Sequence, residues 1–109
     1  MNLEHLTSYL PHNADLYVKK WLENHFITLK ITRRRETKLG DYRKLVENNR
    51  HQITVNGDLN QYAFFFVFTH EVAHLKTFVQ FDSRKINPHG KEWKTIFGHL
   101  LLESLHVYP

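Results

Sequence analysis

Residues 59–79 read LNQYAFFFVFTHEVAHLKTFV, and the reading of this stretch decides the fold. From Tyr62 to Phe68 it is apolar on every side, which predicts a long helix from about Leu59 to Val79 buried at the centre of the molecule. Asp58 is the expected N-cap, with Gln61 returning the bond from N3. Three polar side chains, His70, Glu71 and His74, interrupt this apolar segment. Burying them without a partner is costly, and a metal ion supplies one. Positions i and i+4 of a helix lie on one face, so His70 and His74 can present two imidazole nitrogens to one zinc ion. Glu71 is one step round the helix, where its carboxylate can act without being a ligand. A chain of this composition holds about 0.05 such motifs by chance.

Working outward, an open zinc site needs a third protein donor. His89 is the expected one, held between Pro88 and Gly90 where the chain turns back into a last helix. Trp93, one turn into that helix, is placed to anchor it. Glu92, Glu103, His99 and His106 fall on its polar side, and Asp82 is a minor competitor. His5, His12, His25 and His51 have no partner spacing and read as surface or capping residues. Three neutral imidazoles leave zinc its full charge and bring bound water to a pKa of about 7. Glu71 is then the expected general base in the attack of that water on a carbonyl carbon. Tyr42, Arg43 and Arg84 are candidate oxyanion donors, and an exposed strand, the basic one foremost, could hold an extended peptide by β-addition.

The rest of the chain supplies a small sheet and flanking helices. A short helical stretch, Leu3 to Leu10, is interrupted by Pro11; Asn13 then caps a helix from Ala14 to about Asn24 that buries Leu16, Tyr17, Val18, Trp21 and Leu22. Phe26 to Arg33 alternates as a half-buried strand, with Ile27, Leu29 and Ile31 on one side. Gly40 and Asp41 read as turn formers. Tyr42–Glu47 and His51–Val55 pair as a hairpin around Asn48 and Asn49. Phe81 to Pro88 reads as a loop, and the last helix starts near Gly90 with Trp93, Ile96, Phe97, Leu100, Leu101 and Leu105 at helical spacing. The expected class is α+β, zincin-like, with a small antiparallel sheet and helices around the central HExxH helix.

Composition bounds the rest. With 109 residues the chain fits one domain, and the expectation is a single unit over residues 1–109. There is no cysteine, which excludes disulfides, thiolate nucleophiles and cysteine-ligated zinc. The longest purely apolar run, Ala63 to Phe68, is far short of a membrane span, and no secretory leader is visible, so a cytoplasmic protein is expected. The net charge of +4 sits in the first half, concentrated in Lys30, Arg33, Arg34, Arg35, Lys38, Arg43 and Lys44. Such a cluster suits phosphates, and equally a strand edge kept from pairing by its charges.

Four stretches together resemble the SprT-like family of zinc metallopeptidases, related to the protease domain of Spartan. They are Thr37-Lys-Leu-Gly-Asp-Tyr-Arg43, Ile53-Thr-Val-Asn-Gly-Asp-Leu-Asn60, His70-Glu-Val-Ala-His-Leu75 and Pro88-His-Gly-Lys-Glu-Trp93, and the likeness runs from about Ala14 to Leu105. HExxH followed by His-Gly-x-x-Trp is much more specific than HExxH alone. The resemblance implies zinc bound by His70, His74 and His89, with Glu71 catalytic. It also implies a protein or peptide substrate and a role at DNA; the basic cluster read from the charge distribution would then supply the contacts, through Lys30, Arg33, Arg34, Arg35, Lys38 and Arg43. Many relatives continue into a four-cysteine zinc ribbon, which this chain is expected to lack. The alternative class is a nucleic-acid-associated binding or regulatory module whose zinc is mainly structural; a zinc hydrolase of non-peptide amides is a third.

Overall fold

The computed structural model describes residues 4–45, 50–81 and 85–109. Among them run α1 (Glu4–Thr7), α2 (Ala14–Leu22), β1 (Ile27–Thr32), β2 (Gly40–Leu45), β3 (Arg50–Asn56), α3 (Gln61–Gln80) and α4 (Lys91–Glu103), closed by a 3-10 turn over Leu105–Val107. This is an α+β arrangement of four helices and one three-stranded sheet.

The central helix is α3, 20 residues long. Phe64, Phe65, Phe68, Val72, Ala73 and Leu75 on it are fully buried. Its two buried threonines are satisfied within the helix, Thr69 donating to the Phe65 carbonyl and Thr77 to that of Ala73, both at 2.7 Å. On one side Trp21 of α2 stacks on Phe65 with ring centres 5.7 Å apart, and Tyr9 stacks on Phe64 at 5.3 Å. The sheet and α4 cover other sides. The cap is Asn60, not Asp58: the Asn60 side chain accepts from the Ala63 N–H at 2.9 Å, while Asp58 lies 3.9 Å from the Arg34 guanidinium.

The sheet is mixed, a correction to the antiparallel expectation. Its order is β1-β3-β2, with β2 antiparallel to β3 and β1 parallel to β3. The hairpin partners were legible, although its turn at Asn48 and Asn49 lies outside the described residues. What overrides an all-antiparallel sheet is the connection Arg33–Leu39. It crosses the end of β3 instead of folding back beside β1, so β3 returns between its neighbours, in the direction of β1. Asn56, fully buried at that end of β3, holds the crossing. Its side-chain oxygen accepts from Thr32 Oγ1 (3.0 Å) and Arg35 Nε (2.8 Å), and its amide donates to the Lys38 carbonyl (3.0 Å). Its backbone N–H donates to the Leu39 carbonyl at 2.9 Å. One residue thus satisfies a turn that would otherwise bury unpaired backbone.

Helix α2 starts at Ala14 as expected but differs in its cap and in where it ends. Asn13 adopts φ 69°, a left-handed conformation instead of the extended one a capping side chain requires, and makes no side-chain cap. The helix stops at Leu22, and Asn24 at φ 68° turns the chain toward β1. Leu16 is exposed rather than buried, the inner face being Ala14, Val18, Trp21 and Leu22. No helix among the described residues is long and apolar enough to cross a membrane.

Candidate metal centre

The site begins with two stripes on α3. Phe66, His70 and His74 are spaced by four and share one face; Val67 and Glu71 form a second stripe beside it. Against the first stripe packs α4, which Gly90 opens and which carries Trp93. The Trp93 ring is buried and sits among all three histidines, its centre 4.6 Å from His70, 5.3 Å from His74 and 4.8 Å from His89. Its indole N–H donates to the His70 carbonyl at 3.4 Å, and Phe97 stacks behind it at 4.7 Å. The turn before α4, closed by the Gly90 N–H on the Asn87 carbonyl, delivers His89.

The three imidazoles meet through one nitrogen each. His89 Nε2 lies 3.0 Å from His74 Nε2 and 3.2 Å from His70 Nε2. The ligand atoms of the three all fall within 4.8 Å of one another, and this cluster could hold a metal ion. Nitrogens about 2.0–2.1 Å from a tetrahedral zinc stand about 3.3–3.4 Å apart, close to the spacing here. A set of three neutral nitrogen donors without sulfur suits a borderline ion such as zinc. Burial lowers the His70 pKa first and the neighbouring His89 adds to it. His74 is pushed down to about 4, by burial and then by His70 and His89, with Asp41 opposing. Both rings are therefore held in the neutral form that coordinates metal.

Glu71 is buried, 6% exposed, and no described residue donates a hydrogen bond to its carboxylate. Burial and then Asp41 push its pKa up to about 7, against the pull of Arg35 and Lys38. Strand β2 lies beside it at a distance only glycine permits. A Cβ at Gly40 would stand 2.6 Å from Val67 Cγ1, 3.0 Å from the Thr54 carbonyl and 3.1 Å from Glu71 Oε2. Gly40, read in the sequence as a turn former, is thus the point where the sheet meets the helix.

Two cavities lie beside β2, one against His70 and the other against His74. A cavity of about 300 Å³ is lined by Leu39, Gly40, Phe66, Val67, His70 and Glu71. A smaller one of about 160 Å³ adjoins His74, Tyr42, Phe78 and Pro88. β2 is an edge strand. Because the Asn56 N–H bonds the Leu39 carbonyl, residues 39, 41 and 43 turn their backbone toward β3, and Gly40 and Tyr42 turn theirs to the open side.

The other candidate residues fall away from this centre. Tyr42 lines the smaller cavity, but its hydroxyl is paired with His51 Nδ1 at 2.7 Å. His51 is 6% exposed, so it is a buried partner and not the surface residue expected; its pairing with Tyr42 across β2 and β3 is invisible to spacing along the chain. Arg43 points out and pairs with Asp41 at 3.5 Å. Glu103 is engaged by Lys20 and by the Trp21 indole, and His106 by the Tyr17 hydroxyl at 2.9 Å. Arg84 and Asp82 lie outside the described residues. Leu39, Phe66 and Val67 were not read as site residues in the sequence, although the four-residue spacings from Phe66 to His70 and from Val67 to Glu71 are a signal for the last two.

A family model described as SprT-like family matches residues 8–102. No curated protein and no solved structure matches the chain.

Proposed function

The chain belongs to the SprT-like family, and from that premise we propose that it is a cytoplasmic, zincin-like metallopeptidase that hydrolyses peptide bonds. The observation that carries the reading is the convergence of three imidazole nitrogens beside a buried carboxylate to which no described residue donates, with a cavity against the edge strand β2. His70, His74 and His89 would hold zinc. A bound zinc ion supplies Lewis acidity, which polarises a carbonyl and acidifies water.

The residues around it do the rest. An extended peptide adds to the open side of β2, pairing with the backbone of Gly40 and Tyr42, and so lies across the histidines. Glu71, buried next to that strand and with a pKa near neutrality, accepts the proton of the attacking water and returns it to the leaving amine nitrogen. Trp93 keeps the three rings in place from behind. Replacing Glu71 by Gln keeps shape and removes the base. Peptide hydrolysis should fall about 100-fold or more in E71Q while zinc content stays unchanged. Equal turnover in the two proteins would refute the assigned role.

The reading extends to DNA-associated protein substrates. Of the six cations expected to contact DNA, Lys38 and Arg43 flank Asp41 at 3.7 and 3.5 Å, and Arg35 is tied to Asn56. Lys30, Arg33 and Arg34 are exposed at the β1 end, Arg34 lying 3.9 Å from Asp58. Salt-dependent DNA affinity that persists in E71Q, with no hydrolysis by either protein, would favour a nucleic-acid-associated module with a structural zinc instead.

A further inference from the structure

The larger cavity beside Glu71 has a chemistry that the proposed hydrolysis does not itself require. Its walls are Leu39 from the crossing, Phe66 and Val67 from α3, and the bare backbone of Gly40. Leu39 is 53% exposed and Phe66 44% exposed, two large apolar side chains left facing solvent at the rim of a reactive centre. Phe66 is held there edge-on to Phe97, with ring centres 5.5 Å apart, so the wall is fixed in place. Val67 forms the floor, 9% exposed. The missing Gly40 side chain opens the cavity toward Glu71 Oε2, since a Cβ would stand 3.1 Å from that oxygen. Among the described residues, His70 and Glu71 are the polar side chains that line it, and none of the lining carries a hydroxyl. A cavity of about 300 Å³ accommodates one large side chain and its surrounding backbone, and a small peptide residue would leave Leu39 and Phe66 wet.

We infer that this cavity is a specificity pocket, which selects peptides carrying a bulky apolar residue (Leu, Phe or Met) immediately to one side of the cleaved bond. The inference rests on the peptidase reading and names its substrate class. Docking by the β2 edge reads no side chains; selection enters through the pocket, with Leu39 and Phe66 as its specificity residues. An acidic residue at the same position is rejected, because it would be desolvated next to the Glu71 carboxylate.

The test uses the full chain loaded with zinc and capped Gly/Ser decapeptides holding one central Leu, Phe, Ala or Asp. Cleavage sites are mapped by mass spectrometry with the wild type, and binding to E71Q is measured by calorimetry. Leu and Phe peptides should be cleaved about 10- to 100-fold more efficiently than Ala, always at the same position relative to the apolar residue, and Asp least of all. They should bind E71Q in the same order. F66A and L39A should each erase most of the discrimination, F66L should restore part of it, and L102A, altering an exposed leucine on α4, should leave it intact. Cleavage without apolar preference, or preference untouched in F66A and L39A, overturns the pocket and leaves the peptidase standing. Ordered binding to E71Q with no cleavage by the wild type overturns the peptidase and leaves the pocket standing.

Discussion

At the scale of single residues, Glu71 carries a measurable signature without any metal. Its folded-state pKa of about 7 lies above the usual carboxylate value. Between about pH 4.5 and 7 the folded metal-free protein therefore binds a proton that the unfolded chain does not. Its contribution to stability is full at acid pH and is lost as pH rises through 7. The metal-free E71Q protein should thus match wild type near pH 4 and exceed it by about 1–3 kcal/mol at pH 8 in urea unfolding. Equal stabilities across that range would mean the carboxylate is not desolvated. His70 and His74 act with the opposite sign. Their pKa values are depressed by burial, so they weaken the metal-free fold as pH falls below 6.5. These three residues were legible because helical spacing alone puts them on adjacent faces. His51 was not, since its partner Tyr42 is joined to it across two strands.

At the scale of elements, the sequence told helix from strand better than it told direction. The apolar run of α3 and the alternation of β1 are local signals, and both elements form where expected. Whether β1 runs parallel to β3 depends on how residues 33–39 cross the sheet, which is a matter of tertiary hydrogen bonding to Asn56. No periodicity reports that. The Gly40 contact was hidden for the same reason, because β2 meets α3 only in three dimensions. It can be tested directly. A methyl group at residue 40 would collide with Val67 and the Thr54 carbonyl, so Gly40→Ala should cost about 1–3 kcal/mol of stability by urea unfolding. A neutral result would mean that β2 sits further from the helix.

For the whole molecule, the three histidines draw together two elements distant in the chain. Residues 70 and 74 belong to α3, while His89 comes from the turn that launches α4. A bound ion therefore links the central helix to the C-terminal one, and its binding free energy adds to folding. Stripping it should lower the melting temperature by about 10 °C or more, restored by one equivalent of zinc. The core of α3 against α1, α2 and the sheet persists without it, so the metal-free chain should still melt cooperatively. The measurement that tests the central claim most directly is zinc-edge X-ray absorption on the untagged protein. The account predicts three nitrogens and one light oxygen at about 2.0–2.1 Å. Absence of zinc, or a fourth protein ligand closing the site, would contradict it.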